Sequence, residues 1–216
     1  PTKTLFFLLF CVVWVGTGLI GHDPWKPDED FSFGIAFQML QSGDWLIPTL
    51  AGEPVMDKPP LFYITAAAFA KLFSPWLPLH DGARLASGFY NALTLMFIGF
   101  AGRELFGKGR GWVSAIILIG CLGMLVRTHF LVTDLALLSG IAMMIYGYAL
   151  SLRRTLLPGL LIGTGVGIGF MSKGFIAPIL FVSISSALLL FPAWRTRAFL
   201  TTLAVALVAA LPWLLI

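Results

Sequence analysis

Charge is what this sequence has least of. Only 11% of its 216 residues are Asp, Glu, Lys or Arg, against about 25% in soluble domains. So few charged groups cannot cover a water-facing surface. The basic residues are also too sparse and scattered to form the dense basic face of a nucleic-acid-binding module, so no nucleic-acid partner is expected. Cysteine is nearly absent. Cys11 and Cys121 each lie inside an apolar run with no second cysteine at C-x-x-C spacing. Neither thus has a metal-ligand partner at that spacing, and both read as small buried hydrophobes.

What fills the chain instead is apolar: 58% of residues are hydrophobic and the mean hydropathy is +0.92. Runs long enough to cross a bilayer, which needs ~17–20 residues, fall at roughly 4–20, 83–101, 111–127, 133–150, 156–171, 175–193 and 198–216. The expected fold is therefore an all-α polytopic membrane protein with about seven transmembrane helices, a single transmembrane domain over residues 1–216. Run 4–20 resembles a secretory signal in position, but only Lys3 precedes it and no small-x-small cleavage site follows. It reads as an anchor. The sequence opens without Met and stops inside an apolar run, and both ends read as cut.

Loop charges set the orientation. Lys3, then Arg103/Lys108/Arg110, Arg153/Arg154 and Arg195/Arg197 separate the runs, and the positive-inside rule puts all four groups in the cytoplasm. Run 4–20 then goes out and run 83–101 returns. The stretch 60–73, PLFYITAAAFAKLF, cannot cross under that parity, and as a helix of about 21 Å it is too short to. It reads as an interfacial helix. Residues 21–82 thus form one long external segment, holding a second short helix at 29–41. Phe31, Ile35, Met39 and Leu40 give that helix an apolar face, opposite Ser32, Gln38 and Gln41, which suits a helix lying flat on the membrane.

The orientation gathers Asp28, Glu29, Asp30, Glu53, Asp57, Lys58, Arg84, Arg127, His129, Asp134 and Lys173 on or near the outer face. Cations there can hold a phosphate headgroup whose tail stays in lipid, and a carboxylate can take a proton from an incoming nucleophile. Plainer readings stand beside this one. Asp28-Glu29-Asp30 and Thr133-Asp134 suit helix N-termini, and Asp57-Lys58-Pro59-Pro60 suits a helix start. Lys173 suits an ordinary turn, although it breaks the charge rule, and His129 an interfacial position. Gly159, Gly163, Gly165, Gly167 and Gly169 include G-x-G spacing, but no strand precedes them. They read as close helix packing rather than a dinucleotide loop.

The stretches PDED, GDWLIPTLAGEP and DKPPLFY, followed in order by GARLAS, VTDLALL and GIGFMSKG, resemble the landmarks of the bacterial aminoarabinose transferase and protein mannosyltransferase-like family. These are GT-C glycosyltransferases that use polyprenyl-phosphate sugars. The resemblance runs from about residue 20 to about residue 180. It implies a polyprenyl-phosphate-linked sugar donor, a lipid or protein acceptor and an inverting transfer at the periplasmic face of the bacterial inner membrane. By position it implies that Asp28 and Asp134 are the acids of the reacting centre, with Glu29 beside Asp28. It makes Asp57, Lys58, Arg84 and Lys173 contacts of the donor, and Arg127 joins them as a further substrate-binding candidate. Carboxylates beside a phosphate also suit a divalent cation, which the sequence leaves open.

The chain departs from the family where Asp30-Phe31-Ser32 follows the Asp-Glu pair and where Asp57 stands for a more usual Glu. Both bear on substrate preference. The family's full fold has roughly twice as many spans and usually a soluble periplasmic portion, so this chain matches its N-terminal half. Two other classes compete. A non-catalytic polyprenyl-phosphate-binding subunit would keep Lys58 and Arg84 without needing Asp28 or Asp134. A secondary transporter would place its ionisable residues at the bilayer midplane. The topology makes a direct demand: Asp57→Cys should react with a membrane-impermeant maleimide from the outer side, and labelling only from the cytoplasm would overturn it.

Overall fold

The computed structural model describes residues 2–25 and 27–215, with side chains for all of these but 2–4 and 126. The side chain of Lys3, counted above among the cytoplasmic cations, and Ile216, the end of the last apolar run, lie outside the described residues. Ten α-helices carry the described chain: α1 (Thr2–Gly16), α2 (Asp28–Ser42), α3 (Leu61–Phe73), α4 (Leu79–Phe106), α5 (Gly111–Ile119), α6 (Leu122–Arg127), α7 (Asp134–Leu150), α8 (Leu156–Lys173), α9 (Ile176–Leu189) and α10 (Arg197–Leu214). The strands described are the short β1 (Thr49–Leu50) and β2 (Glu53–Pro54), an antiparallel hairpin. Its turn residues, Ala51 and Gly52, both have positive φ, 52° and 85°, as a two-residue hairpin turn requires.

Most helix limits follow the apolar runs, and the departures have local causes. Helix α1 ends at Gly16, short of residue 20, because the chain turns through Gly18 and Gly21 at φ 81° and 94°. Helix α4 begins before the apolar run, because Asp81 and Arg84 are buried inside the protein rather than left outside it. The run 111–127 is not one helix. It breaks at Gly120-Cys121, where Cys121 is extended (ψ 130°), and restarts as α6. Cys121 is exposed at that break and Cys11 half-buried, which corrects the expectation that both are buried. By length and composition α4, α8 and α10 can each cross a membrane, while α1, α3, α7 and α9 are shorter apolar helices. In α1, Leu5, Phe6, Leu8, Leu9, Phe10, Val12 and Val13 are all exposed, an apolar surface suited to lipid or to another apolar helix rather than to water.

The chain divides into two compact units, residues 1–93 with 119–135, and residues 94–118 with 136–216. In the first, α2 packs on α3 and on β1. Its buried stripe is Glu29, Ser32, Ile35, Ala36 and Met39. Ser32 was expected on the polar face; it is buried because the stripe is turned toward protein partners, and Phe31 and Leu40 are only half-buried. Helix α3 meets the first half of α4 through ring contacts, Phe62 with Tyr90 and Phe69 with Phe89, and through the Thr65–Tyr90 hydroxyl pair at 2.8 Å. Helix α4 also holds the irregular segment after α6: Asn91 Nδ2 donates to the Thr128 carbonyl (2.6 Å) and Ser87 Oγ to that of Phe130 (2.8 Å). His129 reaches the Trp14 carbonyl of α1 at 2.9 Å.

The second unit is organised by the small-residue face of α8, against which α10 and α9 pack. A Cβ on Gly159 would lie 2.6 Å from Val205 Cβ, and one on Gly165 would lie 2.9 Å from Met144 Cγ of α7. Gly167 abuts Trp213, and Gly169 abuts Ala177. The glycine series is therefore a packing surface, as its spacing suggested. Met144, Tyr148, Ile162, Val166, Phe181 and Phe199 fill the core around it. Replacing Gly159 with Leu should lower the thermal midpoint in detergent, whereas Gly123→Leu, where a side chain meets nothing within 4 Å, should leave it nearly unchanged. Equal effects would show that the close approach along α8 does not hold the unit together.

Candidate active site

Two adjacent acids at the start of α2 have opposite surroundings. Successive helix residues point about 100° apart, so Glu29 turns inward while Asp28 faces out. Glu29 is fully buried. Its Oε1 accepts from Arg84 Nε (3.0 Å) and from the backbone N–H of Leu131 (2.8 Å), and its Oε2 accepts from that of Trp25 (2.8 Å). Arg84, 1% exposed, also donates from an Nη to Asp81 Oδ1 at 2.7 Å. Asp81 in turn accepts the Gly21 N–H at 3.1 Å, and His80 Nε2 lies 3.7 Å from it. One carboxylate thereby joins α4, the entrance to α2 and the segment that leads into α7.

That fastening brings distant acids to one cleft. The cleft, of about 320 Å³, is lined by Pro27, Asp28, Phe31, Ser32, Asp57, Lys58, Arg127, Val132, Thr133 and Asp134. Asp28 pairs with Arg127, Oδ2 to Nη at 2.8 Å, with both side chains about half exposed. The Lys58 ammonium lies 3.6 Å from Asp57 Oδ2 and 5.7 Å from the centre of the Phe31 ring, a cation–π arrangement. Asp134 opens α7, with Thr133 before it. Of the residues singled out from sequence, Asp28, Asp57, Lys58, Arg127 and Asp134 thus line one cavity. Glu29 and Arg84 form the buried cluster and do not line it. Lys173 is the last residue of α8, in the second unit, ahead of Gly174 at φ 66°.

Asp81, Ser87 and Asn91 were missed by sequence reasoning. The i, i+3 spacing of Asp81 and Arg84 on one helix was the available signal for the first. For Ser87 and Asn91 nothing local signals that a loop carbonyl far along the chain needs a donor. Tyr63 was also missed. Its hydroxyl is buried without a hydrogen-bond partner, and burial, with the Asp57 charge second, pushes it up to about 12. Among the described residues no group of three or more His, Cys, Asp or Glu stands close enough to hold a metal ion.

The family model described as dolichyl-phosphate-mannose-protein mannosyltransferase matches residues 57–216. The chain belongs to this family. Among curated proteins it is 30% identical, over 223 residues, to the undecaprenyl phosphate-alpha-4-amino-4-deoxy-L-arabinose arabinosyl transferase of Pseudomonas aeruginosa (strain UCBPP-PA14), covering 99% of this chain and 40% of that protein. It is 28% identical over 181 residues to the protein of the same description from Yersinia enterocolitica, covering 80% of this chain and 31% of that one. Among solved structures, ArnT from Cupriavidus metallidurans bound to undecaprenyl phosphate superposes with a TM-score of 0.82 at 20% identity, over 99% of this chain and 41% of that chain. The apo form of the same protein gives 0.81. The family member described here thus has the all-α polytopic membrane fold expected, and spans about 40% of the length of these relatives.

The buried cluster should be more important to stability than the cleft pair. Arg84→Met strands two buried carboxylates, at a cost of about 3–5 kcal/mol, whereas Asp28→Ala breaks a half-exposed pair worth about 0–1 kcal/mol. Thermal unfolding in detergent should separate the two clearly. Equal midpoints would mean that the cluster does not fasten this unit.

Proposed function

We propose that the protein is a glycosyltransferase that moves a sugar from a polyprenyl-phosphate donor to a lipid or protein acceptor, at the periplasmic face of the bacterial inner membrane. The observation that carries this reading is the cleft lined by Asp28 and Asp134 together with Lys58 and Arg127. The curated relatives support undecaprenyl phosphate-linked 4-amino-4-deoxy-L-arabinose as the donor, by their names, and lipid A modification is the function class that fits them. The match covers under half of the length of those proteins, and the activity is a proposal for this chain.

In the proposed reaction Asp28 accepts the proton of the acceptor hydroxyl or phosphate. The acceptor oxygen forms a bond to the anomeric carbon from the face opposite the phosphate. The bond from that carbon to the phosphate oxygen breaks, and its electron pair leaves with the polyprenyl phosphate. Attack from the opposite face inverts the configuration. Lys58 and Arg127 neutralise the charge that grows on the leaving phosphate, which is where fixed cations lower the barrier most. Asp57 orients Lys58. Asp134 orients the acceptor or shares the proton.

Glu29 and Arg84, expected from the resemblance to act at the centre itself, are assigned instead to positioning, because their polar atoms are taken up by protein partners. The part of Lys173 rests on the sequence resemblance alone. A divalent cation, which carboxylates beside a phosphate would suit, has no group of three or more His, Cys, Asp or Glu to hold it among the described residues, and no step is routed through one.

The decisive substitution is Asp28→Asn, which keeps the shape and removes the base. Transfer from undecaprenyl phosphate-4-amino-4-deoxy-L-arabinose to lipid A, assayed in membranes containing the protein, should fall by about 10²–10⁴-fold. A near wild-type rate in a folded variant would defeat the assignment of Asp28.

A further inference from the structure

We propose that Arg127 masks Asp28 in the substrate-free protein and that the donor's phosphate removes the mask. The proposal rests on the functional reading above and adds to it a coupling between donor arrival and release of the base.

The geometry has three parts. First, the Arg127 guanidinium donates to Asp28 Oδ2 at 2.8 Å. A carboxylate oxygen engaged in this way is a poor acceptor for a proton from an incoming hydroxyl. Second, the pair is exchangeable. Its side chains are 54% and 51% exposed, so solvent screens it and the interaction is weak. Arg84, at 1% exposure between two carboxylates, has no such freedom. A phosphate entering the same cleft offers Arg127 two oxygens for a forked, charge-assisted contact, which is stronger than a single exposed contact to a carboxylate. Lys58 is held at 3.6 Å by Asp57 and not by Asp28, so it is available to receive the phosphate at the same time.

Third, only the side chain has to move. Arg127 is the last residue of α6, and the backbone after it is pinned at Thr128 by Asn91, at Phe130 by Ser87 and at Leu131 by Glu29. The long arginine side chain can swing from carboxylate to phosphate while its attachment stays fixed. No covalent bond changes in that exchange. Asp28 is then free to take the acceptor's proton, and Arg127 is already beside the phosphate that becomes the leaving group. The base is therefore released from Arg127 only when a donor is present to use it.

The test reads the mask without an activity assay. Purified protein in detergent is treated with a water-soluble carbodiimide, and modification of Asp28 and of Asp57 is followed by peptide mass spectrometry. In Arg127→Gln, Asp28 should react several-fold faster than in the unaltered protein, while Asp57 reacts at an unchanged rate. Binding of undecaprenyl phosphate should weaken about tenfold or more in Arg127→Gln, and less in Arg127→Lys, which keeps the charge without the fork. Inorganic phosphate at the same concentration should compete poorly. Equal Asp28 reactivity with and without Arg127, lipid affinity within twofold of the unaltered protein, or inorganic phosphate competing as well as the lipid would each overturn the proposal. If Arg127→Gln does not fold, Arg127→Lys carries the same comparison, with faster Asp28 modification again expected and an unchanged rate again fatal. Should the unaltered protein transfer no sugar, the functional reading itself falls; should Asp28→Asn retain transfer, the assignment of Asp28 as the base falls, and the mask with it. Should Asp28→Asn lose transfer while the Arg127 variants behave like the unaltered protein, only the mask falls.

Discussion

The first unit depends on one buried carboxylate. Glu29 accepts from the Arg84 side chain and from two backbone N–H groups belonging to segments far apart in sequence, Trp25 and Leu131. Burying a carboxylate is costly unless charge and hydrogen bonds compensate it, and here the compensation comes from the pieces that must be aligned. Any displacement of α4, of the turn into α2 or of the segment before α7 would leave Glu29 or Arg84 under-satisfied. The burial cost therefore becomes a geometric constraint. Asp81 extends it by fixing the other side of the Arg84 guanidinium and the Gly21 N–H.

This constraint lets neighbouring residues in one helical turn divide the work. Glu29 looks inward and is saturated by protein groups, while Asp28, one position earlier, looks into the cleft with a single exposed partner. The same contrast separates the two arginines: Arg84 is enclosed between carboxylates and Arg127 is half open. Rigid, desolvated pairs set the geometry, and screened pairs at the mouth are the ones a ligand can exchange. The second unit obtains its rigidity differently. Without a hydrophobic driving force between helices in lipid, close contact along the glycines of α8 supplies the attraction, and Gly159 and Gly165 leave no room for even a methyl group.

Much of this was legible in the residue order. Helices α2, α3, α7, α8 and α10 lie within two residues of the limits that hydropathy and turn residues indicated, and the glycine series was read correctly as packing. The candidate residues Asp28, Asp57, Lys58, Arg127 and Asp134 share a cavity. Elsewhere the reading failed for physical reasons. Cys121 is exposed because it lies at the break between α5 and α6 rather than inside a packed helix. Ser32 is buried because α2 turns a different stripe to its partners than apolarity alone selects. The break at Gly120-Cys121 lies inside an uninterrupted apolar run, where hydropathy has no contrast to show.

By itself the sequence determined the solvent, the element lengths and the inventory of chemistry: too little charge for water, apolar runs sized to a bilayer, and acids and cations concentrated between those runs and at their ends. Those properties are local sums over neighbouring residues. Which acid is buried and which is open could only be decided by the fold. Asp28 and Glu29 carry the same carboxylate group and are adjacent in sequence, and their fates differ because Arg84 and the Leu131 N–H approach from one side of α2 and the open cleft lies on the other. That distinction is long-range, so no pattern within the loop could have contained it.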